Sequence, residues 1–62
     1  MDDALRAYEV GRADGIAGLH DNVMATDPDV GADYRTGVAD GQLEVFQAQL
    51  LAAIRKALDD AA

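Results

Sequence analysis

The chain has no cysteine and no serine, one proline and one histidine. Without cysteine there is no disulfide and no thiolate metal site. His20 alone does not make a typical zinc site, so no metal is expected. With serine and cysteine both absent, only Thr26 and Thr36 are left as nucleophile candidates. Neither has a histidine in a useful place, so no catalytic residue is assigned. No cofactor motif is present, and the chain reads as a non-enzyme.

Positive charge is also scarce. Five basic residues stand against twelve acidic ones, for a net charge of −7, and Arg55-Lys56 is the largest basic cluster. Non-specific affinity for nucleic acid comes from lysine and arginine neutralising phosphates. Direct binding to nucleic acid or to an anionic membrane is therefore disfavoured, and the charge reads first as a source of solubility. No apolar run approaches the roughly 20 residues that span a bilayer. The start, Met1-Asp2-Asp3, is acidic where a signal peptide is basic. A cytoplasmic location is the expectation.

What remains is a chain of 62 residues, read as a single domain over 1–62. A chain this short buries only about 60% of the surface it exposes when unfolded. Small folds are usually stapled by disulfides, a metal or association. Only association is left.

The composition is rich in alanine, a strong helix former, and two segments read as helices. The first runs from about 3 to 19, capped by Asp2 or Asp3. Gly18 and His20-Asp21-Asn22 mark its stop. A linker follows over about 20–26. The second helix runs from about 28 to 58, some 45 Å at 1.5 Å per residue. Thr26 or Asp27 serves as its cap, and Pro28 lies in its first turn. Gly31 is a point where that first turn could separate. Asp59 and Asp60 face the negative end of the helix dipole, which predicts fraying there.

One element occurs twice. Tyr8-Glu9-Val10-Gly11-Arg12-Ala13-Asp14-Gly15 returns 26 positions later as Tyr34-Arg35-Thr36-Gly37-Val38-Ala39-Asp40-Gly41. The shared pattern is Tyr-x-x-Gly-x-Ala-Asp-Gly. On a helix, residues three and four apart share a face. Tyr8, Gly11, Gly15 and Gly18 thus form one stripe, and Tyr34, Gly37 and Gly41 form its match. Each helical glycine costs about 1 kcal/mol relative to alanine, so so many call for a compensating gain. Close backbone approach supplies it, below the usual 8–10 Å between axes. The pattern predicts an all-α, two-helix hairpin with a long second helix, its glycine stripes face to face and each tyrosine covering the other's bare backbone. Leu5, Ile16 and Leu19 would flank the seam on one helix, Val38 and Val45 on the other. In the alternative reading the glycines are turn points in shorter, broken helices.

The second helix has another apolar side. Leu43, Phe46, Leu50, Ile54 and Ala57 cluster well away from Tyr34, Gly37 and Gly41, and Leu51 and Leu58 widen the cluster. The first helix is too short to cover it. The spacing approximates a helix-pairing seam, which predicts a homodimer, packed as a four-helix arrangement. The other occupant considered is an unidentified protein partner.

The polar residues suggest little chemistry. Asp14 and Asp40 recur but lie off the glycine stripes, so they read as solvated rather than convergent. Asp27-Pro28-Asp29 with Asp33 lacks calcium-loop spacing and reads as helix capping. His20 with Asp21 reads as an exposed helix end. Arg12, on the apolar side of the first helix, would pair with a carboxylate of the second or reach to water.

The run Ala7-Tyr8-x-x-Gly11-x-x-x-Gly15-Ile16-Ala17-Gly18, then Pro28, then Tyr34-x-x-Gly37-x-x-x-Gly41, resembles the ribosome modulation factor family over about residues 7–41. These are short bacterial and phage proteins of two helices joined by a loop. The resemblance implies the hairpin. It does not carry over ribosomal RNA binding, because the family's namesakes are strongly basic. Tyr34 also stands where the family has tryptophan, the loop differs, and the extension after Gly41 has no counterpart. The expected role is a small acidic regulatory or interaction protein. Alternatives are a translation-associated factor that meets the ribosome through protein, and a phage-type acidic decoy of nucleic acid.

Overall fold

The computed structural model describes residues 2–61; Met1, part of the acidic start, and Ala62 lie outside them. Three helices follow one another: α1 (Asp3–Ala17), α2 (Asn22–Ala25) and α3 (Gly31–Ala61). The protein is an all-α hairpin in which α1 packs along the first half of α3 and α2 closes the connection. It measures 52 × 22 × 13 Å, close to the length of α3 alone.

Aspartates set the starts. Asp2 caps α1 by accepting from the Ala4 and Leu5 amides at 3.0 and 3.3 Å. Asp21 does the same for α2 through Val23 and Met24, at 2.9 and 3.2 Å. Each carboxylate satisfies amides that have no partner inside their own helix. Asp27 accepts from the Asp29 and Val30 amides at 2.7 and 3.1 Å, closing a turn that contains Pro28. The α3 helix begins after this turn, at Gly31 rather than 28, and the amide of Gly31 donates to the Asp27 carbonyl at 2.9 Å.

Three further sequence expectations need correction at the boundaries. α1 stops at Ala17, not 19, because Gly18 adopts a left-handed φ of 75° that ends the helix. The Gly18 and Leu19 amides then turn back onto the carbonyls of Gly15 and Asp14, a familiar helix stop. The connection spans 18–30 and contains α2, instead of a plain linker over 20–26. Finally, α3 continues through Asp59 and Asp60 to Ala61. The alanine- and leucine-rich stretch before them sustains the helix against the unfavourable dipole.

The buried apolar residues are few: Ala7, Ala25, Tyr34 and Val38, with Met24 and Val30 packed at their edge. Two of these four are alanines, so close approach of backbone fills the space that large side chains fill elsewhere. Leu5, Ile16 and Leu19, expected beside the seam, are 54%, 46% and 62% exposed. Leu5 and Ile16 lie at the margins of the close helix contact, and Leu19 falls in the connection past the end of α1.

Candidate functional site: a bare-backbone seam and a free helix face

Gly11, Gly15, Gly37 and Gly41 are all buried between α1 and α3. A methyl group added to any of them would collide with facing backbone. At Gly11 it would meet the Tyr34 carbonyl and lie 3.1 Å from the Val38 nitrogen. At Gly15 it would meet the Val38 carbonyl and lie 3.1 Å from the Gln42 nitrogen. Gly37 faces the Tyr8 carbonyl and the Arg12 nitrogen, the latter at 2.7 Å. Gly41 faces the Arg12 carbonyl and the Ile16 nitrogen, the latter at 2.9 Å. Glycine Cα atoms set against carbonyls are the arrangement in which weak Cα–H···O contacts form.

These contacts fix direction as well as distance. Moving from Gly11 to Gly15 along α1 moves the contact from Tyr34 to Val38 along α3. The helices therefore run the same way, so the hairpin is a parallel helix pair rather than an antiparallel one, and the connection over 18–30 leads the chain back to the start of α1. Adding 26 to each contact of Gly37 or Gly41 on α1 gives the corresponding contact of Gly11 or Gly15 on α3. The duplicated element is thus folded about an internal two-fold axis.

The same symmetry governs the polar residues. The Tyr8 hydroxyl donates to Asp40 at 2.6 Å, and the Tyr34 hydroxyl donates to Asp14 at 2.6 Å. The expectation of solvated aspartates is overturned: each is held by the tyrosine of the other repeat. Both phenols are raised above their ordinary pKa. For Tyr8 the hydrogen bond to the Asp40 carboxylate is the main cause. For Tyr34 burial comes first and the bond to Asp14 second.

Tyr34 is fully buried and Tyr8 half-buried. The Tyr34 hydroxyl also accepts from the Asp21 amide at 2.7 Å, while the His20 ring meets Tyr34 edge-on at 6.0 Å. One side chain thus ties α1, α3 and the connection together. Arg35 adds a second tie by donating to the Ala25 carbonyl. Gly31, not assigned to the seam from sequence, is buried against that same carbonyl. Gly18 lies outside the seam altogether, exposed with nothing near it, because its role is to end α1.

Arg12 donates to Glu44 at 2.7 Å, an exposed pair on the seam's rim. The guanidinium pKa is raised further by this hydrogen bond and by the charge of Glu44. Together with Tyr8, Asp40, Leu43 and Gln47, the pair lines a shallow, open cleft. No buried polar side-chain atom among the described residues lacks a partner.

Past Val45, every described residue of α3 is exposed. Leu43, Phe46, Leu50, Leu51, Ile54 and Leu58 are between 47% and 66% exposed. At 100° per residue the first three and Ile54 point to the side of α3 opposite the seam. No described helix is long and apolar enough to cross a membrane. No family model, no curated protein and no solved structure matches the chain.

Proposed function

We propose that this is a small, acidic, non-enzymatic interaction protein whose hairpin base holds out the second half of α3 as a binding surface. The observation that carries the reading is the row from Leu43 to Leu58, half exposed on a helix that nothing in its own chain covers beyond Val45. Contiguous exposed apolar surface marks a place where proteins meet. A second copy of the chain is the occupant, giving a homodimer and, with both hairpins counted, a four-helix arrangement. Association also meets the need of a fold whose buried core is only Ala7, Ala25, Tyr34 and Val38.

Kinship with the ribosome modulation factor family is a proposal supported by the glycine seam alone. Any ribosome contact would run through protein, given the net charge of −7. Co-sedimentation with ribosomes at low and high salt tests it.

Sedimentation equilibrium tests the main reading. The wild-type chain should weigh as a dimer, and Leu50→Asp should weigh as a monomer that keeps its helical hairpin. A wild-type chain that remains monomeric at high concentration would refute the reading.

A further inference from the structure

The internal two-fold gives each side of the seam a counterpart 26 positions away, and the connection breaks that equivalence. It attaches at two points on the Tyr34 side. The Asp21 amide donates to the Tyr34 hydroxyl at 2.7 Å. The Ala25 carbonyl lies against Gly31 and accepts from Arg35. A shift of 26 carries Tyr34 to Tyr8, Gly31 to Leu5 and Arg35 to Glu9.

Both equivalent points on the Tyr8 side are open. Tyr8, Arg12, Asp40 and Glu44 line a cleft of about 210 Å³. Leu5 and Glu9, with Asp2 and Arg6, line a second of about 340 Å³. The chain path is the cause: Gly18 turns the chain out of α1 toward Tyr34, whereas its counterpart Glu44 continues α3. The Tyr8 hydroxyl donates to Asp40, but no described residue donates to it. It lacks the amide that its twin receives from Asp21.

Charge decides what fits this side. Arg35 gives a proton to a carbonyl, whereas Glu9 in the equivalent place accepts one, so an occupant needs a donor there. Across the two clefts, Asp2, Glu9, Asp40 and Glu44 face only Arg6 and Arg12. That balance favours a basic partner over a second copy of net charge −7.

We infer that the Tyr8 side receives a helical turn of another protein. One backbone amide of that turn donates to the Tyr8 hydroxyl, and a lysine or arginine four residues later pairs with Glu9. The spacing is that of Asp21 and Ala25, the attachments that fill the equivalent place. The inference does not depend on the row from Leu43 to Leu58 being a dimer face.

The probe is a synthetic peptide of residues 19–26 carrying Ala25→Lys, both ends blocked, titrated into the full chain. Backbone amide resonances of Tyr8, Glu9 and Asp40 should shift saturably. Tyr8→Phe should weaken binding about fivefold, the worth of one hydrogen bond. Glu9 is exposed, so Glu9→Lys should fold normally and prefer a peptide carrying Ala25→Glu instead. No saturable shift, shifts centred on Tyr34, or an unchanged preference in Glu9→Lys would each overturn the inference. So would conversion of a wild-type dimer to monomer by Tyr8→Phe, because a second copy would then be the occupant.

Discussion

The hydroxyl of Tyr34 donates to Asp14 at 2.6 Å, and the hydroxyl of Tyr8 donates to Asp40 at the same distance. Each repeat thus supplies the donor for one bond and the acceptor for the other. This reciprocity explains why the element keeps Tyr, Gly and Asp together. The glycines admit the facing backbone, and the Tyr–Asp bonds lock the register and direction in which it is admitted.

The two locks should differ in strength. Tyr34 is fully buried and also accepts from the Asp21 amide, while Tyr8 is half-buried with one partner. Tyr34→Phe leaves both Asp14 and the Asp21 amide without their partner, and should lower Tm by roughly 5–10 °C. Tyr8→Phe should lower it by less. Equal effects in thermal unfolding followed by circular dichroism would mean that the tie to the connection contributes nothing.

High pH should unfold the hairpin through these same phenols. Both have folded pKa values raised above the ordinary 10.0. A group that holds its proton more tightly when folded adds stability in full below its unfolded pKa of about 10 and loses it as pH rises through the folded value. Stability should therefore be level through neutral and mildly alkaline pH and fall above about pH 10. With two tyrosines and no tryptophan, phenolate absorbance reads the titration directly. Native protein should titrate later than protein in denaturant, and coincident curves would contradict the assigned bonds.

Protection from hydrogen exchange should divide α3. Its first half is held by α1, whereas residues after Val45 have only their own helix in a single chain. An unsupported helical stretch of this length is marginal in water. In the monomeric Leu50→Asp variant, amides from 46 onward should exchange rapidly while those of Gly37, Val38 and Gly41 stay slow. Uniform protection along α3 would contradict this division.

The fold was legible where the pattern was periodic and doubled. The repeat located the seam glycines because three- and four-residue spacing specifies a helix face without reference to any partner. Gly18 shares that spacing, yet its left-handed φ removes it from the helix on which the spacing is counted. Asp14 and Asp40 lie off the stripe of their own helix, and their bonds arise from how two helices run past each other, which neither helix encodes alone. The cue was present in the repeat: an aspartate kept at the same place twice, six residues after a tyrosine. The short α2 was missed because Asn22–Ala25 is one turn long, too brief for any period to show. Ala7 and Ala25 were not assigned to the core because small residues carry little hydrophobic signal, although a seam this close favours them.

Bare backbone against bare backbone is the claim on which the hairpin and its projecting arm both depend, and Gly37→Ala tests it by sign. In an ordinary exposed helix this change stabilises by about 1 kcal/mol. Here the added methyl meets the Tyr8 carbonyl and the Arg12 nitrogen, and forcing the helices apart should cost about 1–3 kcal/mol or more. Denaturant unfolding of Gly37→Ala should show a lower midpoint than wild type. A higher midpoint would mean that the two helices do not meet at that glycine.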